Sequence, residues 1–299
     1  MSIKLLCTTM HISKMRTSVM VHNLRTMMGT LTFCIFMISK TTAQHSETKL
    51  GWKLGAQAYT FNRFTFFQAI HKIDSCDLTY VEGFPGQDIG GGIEGKLDYH
   101  MSEFKRNQIL QRLKENGITL QTYGVVSANS DSDWRQLFEF CKSMGIGTIT
   151  SEPNDKDIPL LSKLCEEYQI NVAIHNHPQP NRYWHPDAVL AALKGQSKRI
   201  GACADIGHWV RSGLDPVECL KKLEGRVFHL HMKDLNEKNN KKAHDVHWGQ
   251  GVSNIDGVIQ ELKRQNFKGM ISIEYEYNWD NNAPDVAASI GYFRKAIKR

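Results

Sequence analysis

The chain has 299 residues, with 37 lysines and arginines against 31 aspartates and glutamates and a formal net charge of +6. Five of the basic residues (Lys4, Lys14, Arg16, Arg25 and Lys40) fall in the first 43 positions, where there is no acidic one, so residues 44–299 carry only +1. That balance excludes the basic excess of a nucleic-acid binder, and the length of 44–299 is near the ~250 residues of a single eight-fold α/β barrel.

Residues 1–43 read as a leader. A basic stretch ending at Arg25 precedes the apolar run Leu31–Ile38, and Thr41-Thr42-Ala43 places small residues at the −3 and −1 positions of a cleavage site. The apolar run is well short of the ~20 residues of a membrane span, so export without stable membrane insertion is expected, to the periplasm. Cys34 follows the bulky Phe33, a poor site for a lipid anchor. Residues 44–299 then form one catalytic domain.

Strand-like and helix-like patterns alternate from Trp52 onward. Strands are expected at Lys53–Tyr59, Leu78–Glu82, Thr119–Val126, Thr148–Glu152, Asn171–His175, Ile200–Asp205, Val227–His231 and Gly269–Glu274. Helices are expected around Phe66–Ile73, Ser102–Glu115, from Ser130-Asp131 to Gly145, Ile158–Tyr168, Asp187–Leu193, from Asp215-Pro216, Ile255–Gln265 and Asp285–Ile297. Asn116-Gly117 is a helix stop, and Asp215-Pro216 is an N-cap followed by proline at the first helical position. The glycine-rich stretch Gly83–Gly95 and the polar stretch Asn236–Lys242 read as loops. Alternation of this kind implies parallel pairing with right-handed crossovers. No Gly-x-Gly-x-x-Gly turn follows the first strand, which disfavours an open dinucleotide-binding sheet. The expected fold is therefore a closed (β/α)8 TIM barrel. Cys76, Cys141, Cys165, Cys203 and Cys219 lack metal or redox spacing and read as small buried residues.

Four polar residues end apolar strands: Glu152 in TITSEPN, Asp205 in GACADIGHW, His231 in VFHLHMKD and Glu274 in ISIEYE. Buried parallel strands should be apolar throughout, and strand C-termini of such a barrel share one face, the one that carries chemistry. Taken singly, each residue is as readily a cap or a salt-bridge partner. Together they point to a divalent-metal site, because buried charges are costly unless paired or metal-bound. Oxygen donors with one nitrogen suit Mn²⁺ best, with Mg²⁺, Co²⁺ or Zn²⁺ as alternatives. More imidazoles crowd the same rim. His175 and His177 follow strand five, His208 lies three residues after Asp205, and His229 shares its strand with His231. His177 and His208 are candidate bases, and His229 is equally a packed core residue. His175, Lys233, Gln57, Glu82, Trp209 and His247 are candidate substrate contacts. Tyr59, Phe61, Phe84, Tyr123 and Trp279 are aromatic residues near strand ends that could stack on a sugar ring or belong to the core.

The segments CADIGHW, VFHLHMKDLN, HWGQG with Asn254-Ile255-Asp256, and GMISIEYE are similar to those of the xylose isomerase-like barrels, the sugar phosphate isomerase/epimerase family, over roughly Lys53 to Arg299. The resemblance implies a metal held by Glu152, Asp205, His231 and Glu274, with both glutamates also serving as acid and base. It further implies a substrate-binding role for His208, and it places Lys233 in the shared pattern. Where the family often carries Gly-Glu-Gly, this chain has Gly249-Gln250-Gly251. The chemistry implied is deprotonation next to a sugar ketone to give an enediolate. Export and the surplus of imidazoles favour a lyase that cleaves 3-keto-glycosides by elimination, with a ketose epimerase or aldose–ketose isomerase as the alternative. The expected partner is a small sugar or glycoside, without nucleic acid; a homo-oligomer is allowed. Salt-sensitive binding of abasic DNA would instead indicate the DNA-cleaving branch of the fold, and sugar binding without a metal would indicate an exported carbohydrate-binding protein.

Overall fold

Alternation along each strand decides which side chains meet the helices and which enter the barrel. In this computed structural model, residues 45–299 are described; the leader expected at 1–43 lies outside them. The barrel strands are β1 (Lys53–Gln57), β2 (Tyr80–Gly83), β3 (Thr119–Tyr123), β4 (Thr148–Ser151), β5 (Asn171–His175), β6 (Ile200–Asp205), β7 (Val227–Met232) and β8 (Met270–Ile273). Each pairs in parallel with the next, and β8 closes on β1 with Lys53 opposite Met270 and Ala56 opposite Ile273. The helices between and after them are α1 (Phe66–Ser75), α2 (Glu103–Glu115), α3 (Asp131–Met144), α4 (Ile158–Tyr168), α5 (Pro186–Leu193), α6 (Pro216–Lys222), α7 (Ile255–Arg264) and α8 (Ala283–Ala296). The expected (β/α)8 barrel is the observed fold.

The strands are not apolar throughout, as the sequence reading required. Leu54, Val81, Leu120, Ile149, Val172, Ile174, Leu230 and Ile271 are all buried and belong to the main hydrophobic cluster, which packs strands against helices. Their neighbours at alternate positions fill the lumen with polar groups. Thr150, Glu82, His231 and Ser272, from four different strands, hydrogen-bond across the barrel axis. The barrel thus has an apolar shell and a polar centre, and its polar centre is where the strand ends converge.

Local chemistry explains several departures from the expected elements. β1 stops at Gln57 rather than Tyr59 because the Gln57 side chain accepts a hydrogen bond from the Tyr59 amide (3.1 Å) and starts a short 3-10 turn, Ala58–Phe61. β3 stops at Tyr123 because Gly124 adopts φ +153° against Thr150, where a Cβ would collide with Thr150 side-chain and backbone atoms. The glycine-rich stretch contains a small hairpin, Asp88–Gly90 with Ile93–Lys96. Asp234–Leu235 and Asp245–Val246 pair across the base of the polar loop. A short helix that the sequence reading missed, Ile206–Arg211, starts directly after β6, with Asp205 Oδ1 accepting from the His208 amide at 2.8 Å. Cys76, Cys141, Cys165, Cys203 and Cys219 are free and buried. Among the described residues, no helix is long and apolar enough to cross a membrane.

Candidate active site

At the C-terminal mouth of the barrel a pocket of about 180 Å³ is lined by Gln57, Tyr59, Phe84 and Val125 on one side and His175, His177, His208, Glu274 and Glu276 on the other. A larger cavity of about 380 Å³ lies at the opposite mouth, between Lys53, Gln121, Asn171 and Lys268, but no carboxylate or imidazole lines it. The chemistry-bearing groups are all at the first.

Four donor atoms from four strand ends, on His175, Asp205, His231 and Glu274, lie within 4.8 Å of one another, and all four residues are buried. His175 ends β5, Asp205 ends β6, His231 lies near the end of β7, and Glu274 follows β8. Register sets the grouping, since Asp205 stands opposite His231 and Ser272 opposite His231 in the paired strands. His231 Nδ1 lies 3.0 Å from Glu274 Oε2 and 3.8 Å from Asp205 Oδ2, and His175 Nε2 lies 3.6 Å from Asp205 Oδ2.

Glu152, expected in this set, lies one imidazole away. It sits just past β4, and its Oε1 accepts from His175 Nδ1 (2.8 Å) and His177 Nδ1, while its Oε2 accepts from Asn181 Nδ2 (2.9 Å). Glu152, His175 and His177 therefore form a second group, and the structure puts His175, expected at the substrate, in the inner set. Burial pushes the Glu152 carboxyl up, but the hydrogen bonds from the two imidazoles outweigh it and hold the group well below the usual carboxylate range.

Lys233 is not a pocket residue. It is 1% exposed, and its Nζ lies 2.8 Å from Glu274, 3.0 Å from Asp205 and 3.0 Å from Glu276. Arg211, also buried, reaches Glu276 (3.2 Å) and Asp245 (3.4 Å). Burial raises the Glu274 carboxyl, but His231 and Lys233 overcome that and leave it at about 2. Asp205 is likewise held well below its ordinary value despite burial, by His208 and Lys233.

The residues present fit a divalent cation. Asp205 Oδ2, His231 Nδ1 and His175 Nε2 are buried and close to charged neighbours, with Lys233 Nζ 3.0 Å from the first and Glu274 Oε2 3.0 Å from the second, yet none completes a directional hydrogen bond. Around them Glu82, Glu152, Asp205, Glu274 and Glu276 face only two fixed cations, Lys233 and Arg211, so three negative charges remain when the imidazoles are neutral. Without a metal, that surplus draws protons onto the imidazoles. Burial lowers His175 and His231, yet Asp205 and Glu152 raise the first, and Cys203, Glu274 and Glu82 raise the second, above the usual histidine value. Two nitrogens and two oxygens form a donor set suited to Zn²⁺ or Mn²⁺.

The remaining imidazoles differ in state. His208 is driven well below the ordinary histidine value, since burial and the Lys233, His175 and Arg211 charges outweigh Asp205, whose Oδ2 lies 3.4 Å from its Nε2. Arg211 Nη1 donates to His208 Nδ1 (3.1 Å), which leaves the His208 proton on Nε2. His177 is half-exposed at the pocket, stacks on His208 at 4.8 Å and hydrogen-bonds Glu152 through Nδ1.

Besides Lys233, three more of the expected substrate contacts sit outside the pocket lining. Glu82 is fully buried in the lumen among His229, His231, Thr150 and Ser272. Trp209 faces the core at 1% exposure, because the helix after β6 turns it under the rim. His247 is held by Asp285 at 2.7 Å, outside the pocket lining. Phe61 and Tyr123 are core residues, whereas Tyr59 and Phe84 line the pocket and Trp279 packs edge-on against Tyr59 at 5.7 Å. The sequence reading missed Glu276, Asn181 and Asn176. Asn176 brackets Asp205 with backbone bonds of 3.0 and 2.9 Å. Glu276 had one available signal, since it stands two residues beyond Glu274 in an alternating EYE segment. Asp234 of the KD pair explains the Gly-Gln-Gly segment: its carboxylate accepts from the amides of Gly249, Gly251 and Ser253 at 2.8–2.9 Å.

The family model described as "Xylose isomerase-like TIM barrel" matches residues 70–296. A solved structure of a putative uncharacterized protein from Parabacteroides distasonis superposes with a TM-score of 0.68 at 34% identity, covering 82% of this chain and 99% of that one. The chain belongs to the xylose isomerase-like TIM barrel family. An inosose dehydratase from Mesomycoplasma hyopneumoniae is 32% identical over 108 residues, 31% of this chain and 34% of that protein. The first curated relatives matched are spanned over less than half of their own length. A structure titled as IOLI protein with a binding zinc atom shares the fold, with a TM-score of 0.62 at 15% identity over 82% of this chain and 98% of that one.

Proposed function

We propose that this protein is a divalent-metal-dependent lyase that deprotonates the carbon next to a sugar ketone and expels a β-linked group, with 3-keto-glycosides as substrates. The carrying observation is the Glu152–His177 pair at the pocket. Glu152 fixes His177 with its proton on Nδ1, so Nε2 presents a lone pair toward bound substrate, in the orienting-carboxylate arrangement of a general base. Glu152 itself is engaged on both oxygens and does not line the pocket, which argues against its acting directly as acid or base, as a two-glutamate epimerase would need.

The residue roles follow from those states. The pyranose ring lies against Tyr59 and Phe84. His177 Nε2 removes the proton from the carbon between the ketone and the anomeric carbon. The electron pair forms a carbon–carbon double bond as the anomeric C–O bond breaks, and the aglycone oxygen takes up the proton that His177 Nε2 removed, which restores the neutral base. His208 lines the pocket with its proton on Nε2, 3.4 Å from Asp205 Oδ2, and turns that hydrogen bond to the departing oxygen when substrate binds. His175, Asp205, His231 and Glu274 would hold the cation, which when bound supplies Lewis-acid polarisation of the ketone. The dehydratase name of the sequence relatives supports an elimination. Export to the periplasm, where glycosides would be met, is part of the same proposal.

The test is incubation with a chromogenic 3-keto-glycoside and Mn²⁺ or Zn²⁺ in heavy water. Release of the aglycone with an unsaturated keto-sugar supports the lyase. Deuterium uptake with an epimer and no aglycone would refute it in favour of the epimerase.

A further inference from the structure

The polar centre of the barrel contains a carboxylate that no substrate reaches. Although Phe84 just after β2 lines the pocket, Glu82, one residue before the end of that strand, does not. It projects from β2 across the axis and is 0% exposed. Its Oε1 accepts from Thr150 Oγ1 (2.5 Å), and its Oε2 lies 3.2 Å from Ser272 Oγ, 2.7 Å from His229 Nε2 and 2.8 Å from His231 Nε2. Burying a carboxylate is costly, and these donors offset the cost. Simple filling of the lumen would be served by an apolar residue, as in most barrels of this kind.

His231 gives the network a purpose. One ring nitrogen faces Glu82, and the other faces Asp205 and Glu274. An imidazole can offer a lone pair to a cation only from its unprotonated nitrogen, and the partner of the opposite nitrogen decides which one that is. We propose that Glu82 is a positioning residue for His231: its carboxylate keeps the proton on Nε2 and so presents the Nδ1 lone pair to a divalent cation at the mouth of the barrel. Thr150 and Ser272 hold the Glu82 carboxylate in place from β4 and β8. His229 shares the same Glu82 oxygen and groups with Cys203 and His231 rather than with the four-residue set at the mouth, so at that set it acts only by holding the carboxylate. The inference rests on the cation-binding part of the proposed function and adds the residue that sets the ligand's tautomer and orientation.

The test uses the full chain and Zn²⁺ alone, with affinity read by calorimetry. Glu82→Gln keeps the volume but offers an amide in place of an anionic acceptor, and it should weaken Zn²⁺ binding about 10–100-fold. His229→Gln removes another anchor of the same carboxylate oxygen and should weaken Zn²⁺ binding by less than Glu82→Gln; a larger effect would place the cation in the Cys203–His229–His231 group and overturn the proposal. In the Zn²⁺-loaded protein, proton NMR should show a downfield His231 Nε2–H, which Glu82→Gln shifts upfield; a merely structural role for Glu82 would not move it. Unchanged affinity in a folded Glu82→Gln protein overturns the proposal. If that variant does not fold, Thr150→Val serves instead: it removes one anchor of the carboxylate and should weaken Zn²⁺ binding by less, and unchanged affinity there overturns the proposal equally. Failure of the unaltered protein to bind any divalent cation would sink the metal reading itself, which is a different result.

Discussion

Replacing His177 by Gln separates the base from the metal ligands. The ring is 49% exposed, and its polar contact is with Glu152, so its loss should change folding stability by no more than about 0.5 kcal/mol. It is absent from the four-donor set, so the affinity for Zn²⁺ or Mn²⁺ should be unchanged. A positioned general base contributes roughly 10²–10⁴ in rate, or about 3–5 kcal/mol of barrier. The expected phenotype is therefore a fall in kcat of that size, with intact metal content and a KM close to that of the unaltered enzyme. Aglycone release from a chromogenic 3-keto-glycoside, measured beside calorimetric metal titration, reads both quantities. A kcat within tenfold of the original would refute His177 as the base. Loss of metal together with activity would place the cation in the alternative Glu152–His175–His177 group instead.

Other perturbations test the electrostatics and packing around the site. Lys233→Met retains much of the buried stem but strands Asp205, Glu274 and Glu276 without their shared cation; metal-free protein should lose about 3–5 kcal/mol in urea unfolding, and a loss below about 1 kcal/mol would contradict the ion pairing. Asp245 is pushed by burial up to about 7 from 3.8, so its folded form holds a proton that the unfolded chain has released. Stability from this group is then highest at acid pH and is lost as pH rises through about 4 to 7; Asp245→Asn should flatten that fall in a melting-temperature profile, and an unchanged slope would refute the assignment. Arg294→Ala leaves Glu47, 3% exposed, without its 2.9 Å partner between the first turn of the domain and α8; a cost of about 1–3 kcal/mol in unfolding free energy is expected, and no measurable change would show the contact to be idle.

The fold was legible because alternation of strand and helix is written in periodicity, and caps such as Ser130 and Asp215 mark helix starts. The lumen was less legible. Thr148, Thr150, Cys203 and Ser272 read as ordinary strand residues, and only closure of the barrel shows that they face one another. The convergence of Asp205, His231 and Glu274 could be read from their shared position at strand ends. Which glutamate or histidine completes the set could not, because Glu152 and His175 end adjacent strands, and only the structure shows the Glu152 carboxylate taken up by His175, His177 and Asn181. Lys233 was misplaced for a similar reason: the sequence shows a lysine beside a strand end, but only the structure shows three carboxylates surrounding it. Trp209 was drawn under the rim by a helical turn that follows Asp205 without any loop signal.

Anomalous scattering at the zinc edge from crystals grown with Zn²⁺ tests the central arrangement most directly. One peak is predicted, about 2.0–2.2 Å from His175 Nε2, Asp205 Oδ2, His231 Nδ1 and Glu274 Oε2. A peak elsewhere at saturating Zn²⁺, or none, with Lys233 as the sole counter-charge to Asp205 and Glu274, would contradict it.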